Sequence, residues 1–114
     1  MTVQEIVAGL ALEVAAGADR LDKEVTGGYA SDLLSCVMAG AQAGNMWVTL
    51  QAHLNVVAVA ALLDLACVVI TEGARPADDA ISRANEEGIP ILLTSESTFT
   101  VVGKLYQLGI RGSK

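Results

Sequence analysis

The chain has 114 residues, of which 53% are hydrophobic but only 4% aromatic, and it carries a formal net charge of −6. That length holds a single domain, residues 1–114, whose core must be built from closely packed Ala, Val, Leu and Ile, a composition suited to parallel strands covered by helices. Seven Lys and Arg residues scattered through an acidic chain exclude the electrostatic footprint of a nucleic-acid binder and speak against docking on an anionic membrane.

In chain order, Thr2 followed by Glu5 forms a capping-box pattern, and Val3, Ile6, Val7 and Leu10 recur at helical spacing, which predicts a first helix to about Gly9. Leu12 to Ala15 reads as a short strand. Asp19 to Glu24 is charged and belongs on the surface, and Glu24 to Thr26 reads as a second short strand running into Gly27-Gly28. Ser31 or Asp32 is placed to cap a helix holding Leu33, Leu34, Val37 and Met38 and ending near Gly40.

From there the alternation is regular: strand Met46 to Leu50, helix His53 to Leu63, strand Cys67 to Thr71, helix Pro76 to Glu87, strand Pro90 to Thr94, helix Thr98 to Leu108. Such alternation predicts an α/β fold, a mostly parallel sheet with helices on both faces. Leu50, Val68, Val69, Ile70, Ile91 and Leu92 are expected in its core, and the tail Arg111 to Lys114 is expected to fray. The apolar run Leu54 to Ile70 falls short of the ~20 residues a membrane span needs and contains Asn55 and Asp64. Cys36 and Cys67 sit in apolar runs and read as small buried hydrophobes, with no secretory leader at the N-terminus, so a cytoplasmic location is expected.

Polar residues able to bind a ligand concentrate between Thr26 and Asn55, around Gly27-Gly28, Trp47 and His53. In open parallel sheets, ligands bind outside the carboxyl ends of the strands. Here those ends run out into Gln51, His53 and Asn55, into Thr71, Glu72, Gly73 and Arg75, and into Thr94 to Ser97. The same residue types also cap helices, and for the Thr94 to Thr98 loop capping is the preferred reading. Gly27-Gly28 suits either a positive-φ turn or a close approach to a ligand or another strand, flanked by the hydroxyls of Thr26 and Tyr29. A lone His gives no metal set, and neither a phosphate-binding P-loop nor a dinucleotide glycine pattern is present, so no metal and no cofactor are expected. Trp47 reads as a core or interface anchor.

The strings V-T-G-G-Y-A-S-D-L-L-S, N-M-W-V-T-L-Q-A-H-L-N-V-V-A-V-A, V-V-I-T-E-G-A-R-P and G-I-P-I-L-L-T together resemble the DRTGG domain family over roughly Val3 to Leu108. The resemblance implies a stand-alone member with the fold of the N-terminal domain of HPr kinase/phosphorylase. It also implies a regulatory or sensory role, since such domains occur fused to CBS domains or inside long phosphotransacetylases. Of the eponymous string only Thr26, Gly27 and Gly28 match, with Glu24 and Val25 in place of Asp and Arg. The kinase activity of the HPr enzyme belongs to a separate P-loop domain, and this chain has no such motif.

Three functions compete. The first is a regulatory, non-catalytic module that binds a small anionic or nucleotide-like metabolite through Thr26, Gly27, Gly28, Tyr29, Asp32, Gln51, His53, Asn55, Thr71 and Glu72 and works as a homo-oligomer, most simply a two-fold dimer. The second is an interaction module in which the same residues form an interface, and the third an enzyme using His53 with Asp32 or Glu72. All but Tyr29 and Thr71 of those ten residues are expected to gather around one pocket or interface.

Overall fold

A computed structural model describes residues 1–113 as one sheet of five strands with helices on both sides. In chain order the elements are α1 (Val3–Leu10), β1 (Glu13–Ala16), β2 (Gly27–Ala30), α2 (Leu34–Gly40), β3 (Asn45–Thr49), α3 (Leu54–Leu62), β4 (Cys67–Ile70), α4 (Asp78–Glu87), β5 (Ile91–Leu93) and α5 (Thr98–Gln107), with one 3₁₀ turn at Ala18–Arg20. The strand order is β1-β5-β4-β3-β2; β2 to β5 run parallel, and β1 joins β5 antiparallel. The sheet is therefore mostly parallel, as the sequence predicts.

Because β2 to β5 lie side by side in sequence order, crossovers of one hand deliver every connecting helix to the same face. The side chains confirm it. Trp47, Val68, Ile70, Ile91 and Leu93 pack with Val37 of α2, Val56 and Ala60 of α3, and Ala80 and Ala84 of α4. Their sequence neighbours Met46, Val48, Cys67, Val69 and Leu92 point the other way, against Val3, Ile6 and Leu10 of α1 and Val101 and Leu105 of α5. Strands buried on both faces read as continuous apolar runs, which is why β3, β4 and β5 are legible in the sequence.

Several boundaries differ from expectation, each for a local reason. The second strand is Gly27–Ala30, and Glu24 makes only an isolated bridge to Thr2. Neither Gly27 nor Gly28 has positive φ. Instead the tail crosses them: a Cβ on Gly27 would lie 2.9 Å from the Arg111 carbonyl oxygen, and the Gly28 N–H donates to that carbonyl at 2.9 Å. Arg111 to Ser113 are thus docked on β2 rather than frayed, and Lys114 lies outside the described residues. Leu50, expected in the core, is 44% exposed, because β3 ends at Thr49. Cys36 is exposed on α2, whereas Cys67 is fully buried, its thiol pushed up to about 12 by desolvation.

Among the described residues, no helix is long and apolar enough to cross a membrane.

Candidate functional site

The carboxyl ends of β2, β3 and β4 do bring Asp32, Gln51, His53, Thr71 and Glu72 to one edge of the sheet, each on the loop or helix start that follows its strand. What they do there is specific. The Asp32 carboxylate does not cap α2, whose first turn has no side-chain cap; its Oδ1 accepts from Thr49 Oγ1 at 2.8 Å and from the Leu50 N–H at 2.9 Å. Gln51 Nε2 donates back to the Asp32 carbonyl at 3.2 Å. Asp32 therefore clamps the end of β2 to the end of β3, and it takes the N–H that would have extended β3 into Leu50.

His53 is the N-cap of α3. Its Nδ1 accepts from the Asn55 N–H at 3.1 Å, a role that requires the neutral ring, while Asn55 itself stays exposed. Glu72 caps a different helix from the one it precedes: its Oε2 accepts from the Thr98 N–H at the start of α5, at 2.9 Å. Buried Thr71 supports the same junction, with its Oγ1 2.6 Å from Thr98 Oγ1 and 3.4 Å from the Thr49 carbonyl. Ser97 caps α5 by accepting from the Thr100 N–H, the role preferred for that loop.

Thr26, Gly27 and Gly28 do not join this edge. Gly27 pairs with Asn45 at the amino end of the parallel strands, so the expected gathering around one pocket is not realised. There Thr26 Oγ1 donates to the Ala43 carbonyl and accepts from Asn45 Nδ2. Asn45, 1% exposed and not singled out in the sequence, is the hub: it also bonds Ser113 and the Gln42 N–H, tying tail and turn to β3. No pattern signals such a residue; only burial reveals it. Tyr29 reaches neither end. It lies beneath α2, with its hydroxyl donating to the Cys36 carbonyl at 3.0 Å. Trp47 is fully buried and donates to the Ser31 carbonyl at 2.8 Å, which settles it as a core anchor.

Strand order explains why the loops close on themselves. A crevice opens in an α/β sheet where strand order reverses and successive loops diverge. From β2 to β5 the order never reverses, and the loops fold over one another. The sheet changes direction only where β1 meets β5, and a polar cavity of about 290 Å³ lies there. Glu13, Gly73, Ala74, Arg75, Thr94 and Ser95 are among its lining residues. Arg75 forks onto Glu13 at 2.8 and 3.3 Å, and the pairing holds the Glu13 carboxyl below its ordinary range. One cavity wall comes from the loop that Thr71 and Glu72 begin, where Glu72 (φ 63) and Gly73 (φ 75) both take the left-handed conformation that turns the chain outward. Among the described residues, no cluster of three or more His, Cys, Asp or Glu is placed to hold a metal.

A small parallel α/β module with loops braced by their own polar side chains is thus the class the fold defines. The chain belongs to the DRTGG domain family, whose model matches residues 5–108. In structure it is similar to the CBS and DRTGG domains of the regulatory region of Clostridium perfringens pyrophosphatase, solved in complex with an activator, diadenosine tetraphosphate. The TM-score is 0.75 at 16% sequence identity, over 93% of this chain and 46% of that one, so this chain spans about half of its neighbour's length. No curated protein matches the chain in sequence.

Proposed function

We propose that this chain is a regulatory ligand-binding module, cytoplasmic and without catalytic activity of its own, that responds to a small anionic or nucleotide-like metabolite and works as a homodimer. Family membership supports the regulatory part, and the neighbour's activator belongs to the ligand class named. The observation that carries the reading is a contrast between spent and available groups. Asp32, His53 and Glu72, the acid–base candidates of an enzyme, are each committed to a backbone N–H of the fold. Arg75, by contrast, borders an open cavity, held only by an exposed partner that an anion can displace.

The proposed ligand enters the cavity between the loops after β4 and β5, its anionic group replacing the Glu13 carboxylate on Arg75, with the Thr94 and Ser95 loop as the opposite wall. At about 290 Å³ the space is at the small end of the roughly 300–1,000 Å³ that ligand pockets occupy. It suits one phosphate-bearing fragment rather than a whole dinucleotide.

Thermal denaturation with ATP, diadenosine tetraphosphate and inorganic pyrophosphate tests this. A ligand at about 100 times its dissociation constant is expected to raise Tm by roughly 10 °C, and Arg75→Gln to abolish the rise. No rise with any of the three, or an equal rise in the variant, contradicts the reading.

A further inference from the structure

The proposal concerns α5, and it rests on the homodimer reading above by giving it a surface. One face of this helix, Val101 and Leu105, is buried in the core. A flanking face is apolar and turned to solvent: Phe99 is 89% exposed, Val102 38% and Tyr106 59%, the last covered only by the Arg111 guanidinium of its own chain, and the spacing sets all three along one stripe. The stripe borders a cavity of about 220 Å³ over the edge strand, walled by Gly28, Ala30, Val48, Leu105, Tyr106 and Ile110. Ala30, with its small side chain, leaves part of the cavity floor open on the face that α5 shares, while Ile110 packs over Gly28.

We propose that this face is a two-fold interface in which α5 packs antiparallel on α5 of a second copy, with Phe99 of each chain entering the cavity beside Tyr106 of the other. Four features favour a second copy as the occupant. Phe99 and Tyr106 sit about two turns apart, symmetric about the Val102–Gly103 junction, so an antiparallel crossing there brings each Phe99 to the partner's Tyr106. A knob and a hole on one surface are self-complementary. Apolar cavities of roughly 150 Å³ admit benzene, so this one accommodates a phenyl ring.

Gly103 occupies the crossing point. A Cβ there would meet nothing within 4 Å, so nothing within the chain explains a helix-weakening glycine in mid-helix, whereas close approach of a second helix does. Charge agrees as well. In a chain of net charge −6, α5 has no acidic residue, so two copies can meet on it without like-charge repulsion. Glu96, which already accepts from Lys104 of its own chain at 2.9 Å, precedes the helix and Arg111, stacked 3.7 Å from the Tyr106 ring centre, follows it; antiparallel docking therefore sets the acidic start of each helix near the partner's Arg111 end.

Sedimentation velocity at micromolar concentration, on the wild type and on Phe99→Glu, tests the surface. Expected are a wild-type particle with the mass of two 11.8-kDa chains and a variant dissociation constant raised by roughly 100-fold or more, with unchanged far-UV circular dichroism. A variant that stays dimeric overturns this interface but not the dimer; a monomeric wild type overturns both. In a Cys36→Ser background, Gly103→Cys is expected to form a covalent dimer on mild oxidation. Failure to cross-link overturns the antiparallel arrangement. Neither result bears on the ligand reading, because Arg75 lies at the other edge of the sheet.

Discussion

The carboxyl edge of the sheet and the outer face of α5 are opposites. The first is dense in polar side chains, nearly all of them used: Asp32 on Thr49 and Leu50, His53 on α3, Glu72 on α5. The second is poor in polar groups and uses almost nothing, leaving Phe99, Val102 and Tyr106 in solvent. The difference teaches that polar density in a short α/β chain measures how much backbone must be satisfied, since each helix start presents N–H groups without intrahelical partners. Surface available for a partner shows instead as apolar exposure.

If the polar edge is structural, breaking it costs stability, and the sharpest case is Asp32→Ala. Removing a charged acceptor strands the Leu50 N–H and the hydroxyl of fully buried Thr49, so urea unfolding at fixed protein concentration is expected to give a loss of about 2–3 kcal/mol. An unchanged midpoint would return Asp32 to the list of spare, ligand-facing groups. Glu72 makes a finer comparison because its backbone is left-handed at φ 63. Glu72→Ala forfeits the α5 cap and keeps the strain, a loss of about 1 kcal/mol, whereas Glu72→Gly forfeits the cap but relieves the strain and should come out near neutral. Equal losses in the two variants would mean that the cap contributes everything and the strain nothing.

The smallest effect is electrostatic and lies at α1, where the Glu5 side chain completes a capping box. The Thr2 backbone N–H and hydroxyl hold the Glu5 carboxyl below its ordinary value of 4.5. A depressed folded value means that this contribution is complete above the ordinary value and is lost as pH falls through the folded one. NMR amide shifts of α1 are therefore expected to move toward coil values at acid pH, and Glu5→Gln should flatten the change. Persistence of the titration in that variant would assign it elsewhere.

Much of the fold was legible because β3, β4 and β5 are buried on both faces and their helices carry ordinary start and stop signals. Where legibility failed, a distant segment had intervened. Gly27-Gly28 suits a positive-φ turn or a close approach alike; here the pair is strand, and small residues are needed because the tail packs against them. Leu50 reads as core because it extends an apolar run, but Asp32 captures its N–H and ends the strand. The site was legible in composition and not in purpose, because the spacing of polar loops does not reveal that strand order never reverses between β2 and β5. The α5 stripe could have been read: Phe99, Val102 and Tyr106 recur at i, i+3, i+7 along a helix face beside the one that Val101 and Leu105 bury.

The central proposal is that this DRTGG domain binds a ligand at Arg75 rather than among the polar residues that first draw attention. Mapping amide chemical shifts of the protein during titration with ATP tests it residue by residue. Saturable shifts are predicted at Gly73, Arg75, Thr94 and Ser95, with Thr26, Gly27 and His53 unmoved. Shifts centred on Thr26 to Gly28 or on His53, or none at any concentration up to about 1 mM, the weak end of measurable affinity, would contradict it.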